Sequence, residues 1–375
     1  MKIFFSVGEP SGDLHGSNLI REMLHRDNGI ECVGFGGPLM EKAGCTLLFD
    51  LTQFAVMWFV KVFLNLHRFI GFARQAERYF KENSIDAVVL IDYPGFNLKL
   101  AAYASEKGIP VIFFNSPQIW AWRKGRLDTI KRVVDKMIVL FPFEEEIYQQ
   151  AGVDVSWVGH PLLDEIGQES DSAALRENCG LRADLPLLAI APGSRPSEMR
   201  KHLPTMLEAL PEIEKKIGEF QCILPVAESL DFDEVRRKAS SSSVYVAVVP
   251  EQFLESVRAS DAAVIASGTA SLQTGLALKP FVIVYRVSPL TYMIARLLAE
   301  TKYIGMVNVL ADKEIVPELL QNEFTVSSIT DHAVRLLQDH DYRGTMISEL
   351  KKIGLKLGEP GAYRRAAKCI ENFIN

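Results

Sequence analysis

The sequence predicts an α/β protein made of two Rossmann-like, doubly wound domains, with C-terminal helices closing the structure. Short apolar runs alternate along the chain with segments of helical spacing, and this pattern is typical of parallel strands joined by crossover helices. The 375 residues, 48% of them hydrophobic, are also sufficient for two buried cores. A polar, weakly patterned stretch after residue 165 separates two series of strands, so we predict domains at 1–165 and 166–375.

The first domain has six predicted strands. They are Ile3–Val7, Cys32–Phe35, Ala87–Ile91, Val111–Phe114, Met137–Phe141 and Val155–Val158. The helices predicted between them, with charged outer faces, include Leu14–Arg26, Phe96–Lys107 and Glu144–Ala151. Continuous apolar runs of this length indicate strands that are buried on both faces.

The second domain has five predicted strands, followed by helices from Ile347 to the C-terminus. The strands are Leu187–Ala191, Cys222–Val226, Val244–Val249, Ala262–Ile265 and Phe281–Tyr285. Between them, the string Asp231-Phe232-Asp233 precedes a charged helix at Glu234–Lys238. We interpret this string as a helix cap rather than as a metal site, and we predict no metal site in the chain.

The composition argues against several classes of function. A net charge of −6 argues against a general nucleic-acid-binding protein, which needs a basic surface. The five cysteines are scattered and indicate free thiols rather than disulfides or a zinc site. No window holds about 20 uninterrupted apolar residues, so we expect no membrane-spanning helix.

Polar turns follow two strands of the second domain, at the sheet edge where doubly wound domains bind ligands. The turn at Ser267–Ser271 leads into a helix, whose unpaired amides and dipole favour an anion such as a diphosphate. The turn at Ser194 and Arg195 adds a guanidinium suited to phosphate oxygens. Helix capping is the alternative for either turn, but the two turns together predict a phosphate-bearing ligand.

Two further polar turns follow strands of the first domain. The glycine-rich string GEPSGDLHG, residues 8–16, lacks both the G-x-G-x-x-G spacing of dinucleotide sites and the P-loop pattern. Asp92 follows the third predicted strand in the string LIDYPGFN. It is either a functional carboxylate or a residue that shapes the turn.

Six strings spread over nearly the whole chain carry a resemblance to a known family. They are GEPSGDLHG at 8–16, SPQIWAWRKGR at 116–126, VGHPLLD at 158–164, PGSRPSE at 192–198, SGTASL at 267–272 and NVLA at 308–311. Together they resemble lipid-A-disaccharide synthase, a family of inverting glycosyltransferases with the GT-B fold. The resemblance implies transfer of 2,3-diacylglucosamine from its UDP donor to 2,3-diacylglucosamine 1-phosphate. The β-1,6-linked lipid A disaccharide forms, UDP is released, and neither a cofactor nor a metal is required.

The resemblance also implies roles for individual residues. Asp92 is the expected catalytic base. Apart from the resemblance, His15 is the second candidate because its imidazole titrates in a useful range, and the alternative for His15 is a structural histidine at the surface or start of a helix. The residues expected to bind the UDP donor are Ser194, Arg195, Ser267, Gly268, Thr269, Ala270, Gln273 and Asn308. The expected acceptor-side loop contains Glu9, Ser11, Gly12 and Asp13.

The chain departs from the family pattern at three positions that bear on its substrates. Gln273 stands where the family has a Glu that holds the ribose hydroxyls, and an amide can bind them only without charge assistance. Trp58 and Lys61 stand where the family has Gly and Glu, near the expected acceptor side. The alternative functions are a UDP-sugar epimerase, a soluble sugar transferase of the same fold, and a non-catalytic relative that binds sugar nucleotides or lipids.

Residues 54–72 are apolar nearly all round and are either a core helix or a helix lying in a membrane surface. Because the acyl tails of the implied substrates must reach the site, we favour the membrane surface. The predicted membrane contacts are Val60, Phe63, Leu66, Phe69 and Ile70. We therefore expect a cytoplasmic protein, peripheral on the inner face of the cytoplasmic membrane, with the two lipid-linked sugars as partners and no nucleic acid; a homodimer is left open.

Overall fold

The structure, a computed structural model, describes residues 1–55, 66–117, 119–120, 125–167, 172–298 and 301–375. Within these residues the chain forms two compact units. One consists of Met1–Asp164 together with Leu357–Asn375, and the other of Glu165–Lys356. Each unit is built around its own parallel sheet, so the predicted fold class is confirmed.

The described residues of the first unit form a seven-stranded parallel sheet. Its strands are β1 (Lys2–Val7), β2 (Glu31–Gly36), β3 (Thr46–Asp50), β4 (Ala87–Ile91), β5 (Val111–Phe114), β6 (Lys136–Val139) and β7 (Val155–Trp157). The spatial order is β3-β2-β1-β4-β5-β6-β7, with Phe5 of β1 opposite Val89 of β4. The strand order reverses between β1 and β4, which opens a crevice at their carboxyl ends.

Helices cover both faces of this sheet, as the buried strands require. They are α1 (Pro10–Arg26), α2 (Pro38–Lys42), α3 (Thr52–Ala55), α4 (Leu66–Glu82), α5 (Pro94–Glu106), α6 (Arg126–Val133), α7 (Pro142–Gln150), α8 (Leu162–Ile166) at the unit boundary, and α18 (Ala362–Ile374). The first residue of α1, α2, α5 and α7 is a proline, whose fixed φ suits the first helical position.

The last helix, α18, was predicted to belong to the second domain, and the structure corrects this assignment. Its side chains Ala366, Ala367 and Ile370 are fully buried in the same core cluster as Leu19 of α1. The helix therefore packs on the first unit because its apolar face completes that unit's core.

The second unit repeats the arrangement with six parallel strands among its described residues. They are β8 (Leu187–Ala191), β9 (Gln221–Val226), β10 (Val246–Pro250), β11 (Ala262–Ala266), β12 (Phe281–Tyr285) and β13 (Glu318–Leu320), in the order β10-β9-β8-β11-β12-β13. Its helices are α9 (Ser172–Asn178), α10 (Pro196–Ile217), α11 (Phe232–Ala239), α12 (Phe253–Ala259), α13 (Thr269–Leu276), α14 (Pro289–Leu298), α15 (Met306–Ala311), α16 (Val326–Gln338) and α17 (His340–Lys356). The strand order reverses between β8 and β11, which gives this unit its own crevice.

Two smaller predictions can be compared with the structure directly. Asp231 precedes α11 and its carboxylate accepts a 2.9 Å hydrogen bond from the amide of Glu234, so the predicted cap is confirmed. The edge strands β3 and β13 were not predicted. Both are only partly buried and lack the continuous buried run of a central strand.

The apolar segment 54–72 lies largely beyond what the structure describes. Val60, Phe63, Trp58 and Lys61 fall outside the described residues. Leu66, Phe69 and Ile70 lie at the start of α4. Among the described residues, no helix is both long and apolar enough to span a membrane.

Candidate functional site

The second unit contains a pocket of about 540 Å³ at the carboxyl ends of its strands. Its walls come from the turn after β8 and the turn after β11, on either side of the crevice. The predicted ligand residues that line it are Ser194, Arg195, Ser267, Gly268, Thr269, Ala270 and Gln273. The structure therefore brings together two turns that are more than 70 residues apart in the sequence, because β8 and β11 are neighbours in the sheet.

The turn after β11 directs the start of α13 at this pocket. Gly268 has φ of 153°, a conformation that residues with a side chain rarely adopt. A methyl group added at Gly268 would meet no atom within 4 Å, so the glycine is required by its backbone and not by crowding. Ser267 Oγ donates to the carbonyl of Ile304 over 3.2 Å, which fixes the start of the turn.

The turn after β8 places a cation and an anion side by side at the start of α10. Arg195 precedes this helix, and its guanidinium lies 3.1 Å from Glu198. Tyr285, at the end of β12, lies 3.4 Å from the same carboxylate. Glu198 thereby orients an exposed arginine that lines the pocket.

The pocket has a third wall that was not predicted from the sequence. Glu251, Phe253 and Leu254 line it, directly after β10. The available signal was their position after a predicted strand, since the carboxyl ends of all parallel strands share one edge of the sheet. An aromatic and an aliphatic side chain next to the two polar turns give the pocket both apolar and polar surface.

Gln273 lines the pocket from the second turn of α13. Its amide nitrogen lies 3.5 Å from a carboxylate oxygen of Glu165. The carboxylate of Glu165 therefore lies next to position 273, where the family pattern has a glutamate. Glu165 lies more than 100 residues earlier in the chain.

Asn308 was predicted to contact the sugar nucleotide, but its side chain is not part of the pocket lining and is bonded within the protein. Its side chain is fully buried, and its amide donates to the carbonyl of Val316 at 2.7 Å and to Glu318 at 2.8 Å. Its oxygen accepts from the amides of Ile315 and Val316. The hydrogen-bonding capacity of Asn308 is thus used inside the protein, where it holds the segment before β13 in place.

Asp92 lies in the crevice of the first unit, directly after β4. Asp92 and Tyr93 have φ of 51° and 49°, so two successive residues adopt the left-handed conformation. This conformation is costly without glycine and is often found at functional sites. The buried amide of Asn97 donates to the carbonyls of Ile91 and Asp92 and thereby holds the turn.

The carboxylate of Asp92 is partly buried and has an unusual proton affinity. Burial, repulsion from Glu9 and repulsion from Glu144 raise its pKa to about 7, and a hydrogen bond from Asn115 opposes the rise. The Asn115 amide donates to Oδ1 over 2.6 Å. The other oxygen, Oδ2, faces the glycine-rich turn, where a methyl group added to Gly12 would lie 3.7 Å away. Asp92 is therefore a carboxylate that can take up a proton near neutral pH.

His15 differs from Asp92 in this respect. Its Nδ1 lies 2.8 Å from the hydroxyl of Tyr363, and burial lowers its pKa to about 4. His160, from the string VGHPLLD, is 6% exposed, and burial together with repulsion from His15 lowers its pKa to about 3. Both imidazoles are therefore neutral and weakly basic at pH 7.

The glycine-rich turn contains one residue with a structural task. Asp13, predicted in the acceptor-side loop, is 3% exposed and accepts 3.0 Å hydrogen bonds from the amides of Gly37, Leu39 and Met40. The carboxylate of Asp13 therefore caps α2. The other loop residues are Glu9 and Ser11, which are exposed, and Gly12, which is buried.

Glu144 is a buried carboxyl group that the sequence analysis placed only in a helix. It is 2% exposed and accepts hydrogen bonds from Ser116 at 2.8 Å and from Trp120 at 3.0 Å. Burial raises its pKa to about 7 despite these bonds. It joins the loop after β5 to α7 and therefore stabilises the segment next to Asn115.

The chain matches one family along almost its whole length. The family model described as Lipid-A-disaccharide synthetase matches residues 3–372. The lipid-A-disaccharide synthase of Syntrophus aciditrophicus (strain SB) is 41% identical over 366 residues, which cover 97% of this chain and 96% of that protein.

Solved structures of low sequence identity share the fold. The UDP-GlcNAc 2-epimerase from Neisseria meningitidis, bound to UDP-GlcNAc, has a TM-score of 0.64 at 12% identity and covers 100% of this chain and 99% of its own. The calicheamicin glycosyltransferase CalG4 has a TM-score of 0.63 at 16% identity, with 100% and 98% covered. These similarities show the two-domain GT-B fold.

Proposed function

Because this chain belongs to the lipid-A-disaccharide synthetase family and is a glycosyltransferase of lipid A biosynthesis, we propose that it transfers 2,3-diacylglucosamine from a UDP donor to 2,3-diacylglucosamine 1-phosphate. The products are the β-1,6-linked disaccharide 1-phosphate and UDP. The observation that carries the donor assignment is the pocket of about 540 Å³, whose lining includes Arg195 and the start of α13.

We assign the UDP donor to the second unit. The diphosphate is anionic, and the amides at Thr269 and Ala270 stand at the positive end of α13. The guanidinium of Arg195 adds a charge-assisted partner for the same oxygens. We assign Gln273 to the ribose hydroxyls, because it lines the pocket next to Glu165.

We assign proton removal to Asp92 of the first unit. A general base works best when its pKa is close to the working pH, and the pKa of Asp92 is about 7 while that of His15 is about 4. Asp92 is therefore the stronger base at neutral pH. This contrast in basicity supports the choice between the two candidates.

The reaction then follows a direct displacement. The acceptor hydroxyl attacks the anomeric carbon, its proton passes to Asp92, and the bond from the anomeric carbon to the diphosphate oxygen breaks with inversion. The negative charge that builds up on UDP is stabilised by Arg195 and by the amides at the start of α13. Since these groups supply the stabilisation, we propose that the reaction requires neither a metal nor a cofactor.

The replacement Asp92→Asn tests the assignment of the base. The amide keeps the size of the carboxylate but cannot take up the proton, so single-turnover product formation should fall by about 100-fold or more. UDP affinity, measured by calorimetric titration, should stay within about twofold because the donor site lies in the second unit. The matched control is Asp128→Asn, at an exposed aspartate in the first turn of α6, which should leave both quantities unchanged.

Thermal melting of the same variant separates a base from a structural residue. Because the folded-state pKa of Asp92 lies above its ordinary value of 3.8, the folded protein binds more protons than the unfolded chain between about pH 4 and pH 7. The free energy of unfolding therefore falls as pH rises through this range, and Asp92→Asn should raise Tm more at pH 8 than at pH 4. A folded variant with near wild-type turnover would remove Asp92 from the mechanism.

We also propose that the protein acts at the inner face of the cytoplasmic membrane. The acyl chains of both proposed substrates keep them in a bilayer, so the enzyme must meet them there. The membrane contact predicted at residues 54–72 and the homodimer remain proposals. Vesicle flotation of the full chain tests the membrane contact, and sedimentation velocity of the full chain tests the homodimer.

A further inference from the structure

Helix α14 of the second unit exposes large apolar side chains along one face. Leu290, Met293 and Leu297 are 63%, 55% and 79% exposed. Met293 follows Leu290 by three residues, and Leu297 follows Met293 by four. This spacing places all three side chains on the same side of a helix. An exposed apolar stripe of this kind indicates a surface that binds another protein or a membrane.

The one charged side chain of helix α14 is a cation, which favours a partner with negative charge. Within Pro289–Leu298 the sequence contains Arg296 and no aspartate, glutamate or lysine. Arg286 precedes the helix and is engaged within the protein, since it donates to the carbonyl of Gln321 and packs over the ring of Phe324. Arg296, in the last turn of α14, is exposed next to Leu297. An exposed cation next to an apolar stripe is typical of helices that lie on anionic membranes.

The helix starts at the edge of the sheet where the donor pocket opens. It begins four residues after the end of β12, which runs parallel to β11 and pairs with it. Tyr285, the last residue of β12, contacts Glu198 of the pocket wall. Ile304, 42% exposed, accepts the hydrogen bond from Ser267 of the pocket. The exposed apolar side chains of α14 and of Ile304 therefore belong to the part of the chain that follows β12, whose carboxyl end lies at the same edge of the sheet as the pocket.

We propose that α14 lies on the surface of an anionic phospholipid bilayer, with Leu290, Met293 and Leu297 among the acyl chains and Arg296 at the headgroups. This inference rests on the proposed function, because a diacylated donor has to reach the pocket from the bilayer. A second copy of the chain is the other potential occupant. A stable protein interface takes roughly 20 to 30 residues a side, and the stripe has three large apolar members, which favours the bilayer.

The test compares vesicle binding of the full chain and a variant with Met293→Ser and Leu297→Ser. Co-sedimentation uses phosphatidylcholine vesicles with and without phosphatidylglycerol. The partition coefficient of the double variant on the mixed vesicles should fall by about tenfold or more. The matched control is Leu355→Ser on α17, because Leu355 is 82% exposed and lies on a different helix; its partitioning should not change.

A second variant, Arg296→Gln, tests the charge. Its binding to vesicles with phosphatidylglycerol should weaken by several fold, and its binding to pure phosphatidylcholine should stay the same. Equal partitioning of the double serine variant and the wild type would overturn the proposal. So would a loss of dimer in sedimentation velocity with unchanged vesicle binding, since that result would assign the stripe to a second copy.

Turnover in detergent micelles keeps this inference separate from the proposed function. Micelles deliver the substrates without a bilayer, so the double variant should form disaccharide there at the wild-type rate and should lose activity only on vesicles. Wild-type protein that binds vesicles but forms no disaccharide in micelles would refute the proposed function. The proposal that α14 binds the bilayer would still hold in that case, provided that vesicle binding depends on α14.

Discussion

At the scale of single residues, the protonation of Asp92 is set by a balance of neighbours. Burial and the charge of Glu9 raise its pKa, whereas the 2.6 Å hydrogen bond from Asn115 lowers it by stabilising the ionised form. Asn115 has φ of 61°, a left-handed conformation that asparagine tolerates better than most residues. Asn115 is thus a positioning residue that orients the carboxylate and keeps it titrating near neutral pH.

Asn115→Gly tests this role without straining the backbone, since glycine accepts the same φ. Loss of the hydrogen bond should raise the pKa of Asp92 and move the acid limb of the pH–rate profile to higher pH. Turnover should fall roughly three- to tenfold at pH 6 and recover towards pH 8.5, where the carboxylate is ionised in both proteins.

The control for this variant is Asn83→Gly. Asn83 donates to the carbonyl of Tyr79 and lies before the amino end of β4, at the opposite edge of the sheet from Asp92. Its pH–rate profile should match that of the wild type. A uniform loss of rate at every pH in Asn115→Gly would contradict the proposed effect on the pKa.

At the scale of elements, strand–turn–helix units position the proposed donor groups. The buried strand β11 ends at Ala266, and α13 begins only three residues later at Thr269. So short a connection is possible because Gly268 adopts φ of 153°. The turn therefore aims the first amides of α13 into the pocket.

Gly268→Ala should weaken UDP binding by about tenfold and lower the free energy of unfolding by about 1–3 kcal/mol, because alanine is strained at this φ. Calorimetric titration and denaturant unfolding measure the two effects. The matched control is Gly344→Ala in α17, where an added methyl group also meets no atom within 4 Å. In that helix interior alanine should stabilise by about 0.5–1 kcal/mol and leave UDP affinity unchanged. Similar behaviour of the two variants would contradict the role of the turn.

At the scale of the whole molecule, the chain leaves the first unit near residue 164 and returns to it at Leu357. The returning helix α18 supplies core side chains to the first unit. An ion pair also joins it to α1, since Nε of Arg26 lies 2.8 Å from the carboxylate of Glu371. The second unit is thus inserted into the first, and the two ends of the chain stabilise the same core.

Ile370→Ala should therefore destabilise the first unit by about 2–5 kcal/mol, because it opens a cavity at a fully buried site. UDP affinity should be unaffected at temperatures where the variant is folded, since the proposed donor pocket belongs to the second unit. The control is Asn372→Ala, at an exposed position of the same helix. Thermal melting and UDP titration provide the readouts, and a loss of UDP affinity with an unchanged Tm would contradict the assignment of α18.

Much of the fold could be predicted from the sequence because central parallel strands are buried on both faces and read as continuous apolar runs. Strands such as Ala87–Ile91 and Leu187–Ala191 were predicted with the bounds that the structure has. The edge strands Thr46–Asp50 and Glu318–Leu320 escaped because partial burial leaves a weaker pattern. The unit to which α18 belongs could not be predicted, since its apolar face fits either core until the packing is known.

The sequence by itself determined the family, the two doubly wound domains, and the polar turns after β8 and β11 that line one pocket. These features are local: a strand, a turn and a helix start are written in adjacent residues. Only the tertiary structure decided that Asn308 and Asp13 are fully engaged inside the protein, and that Asn115 reaches Asp92. Hydrogen bonds and burial depend on residues that the fold brings together from distant positions, and these contacts set the proton affinity on which the proposed chemistry depends.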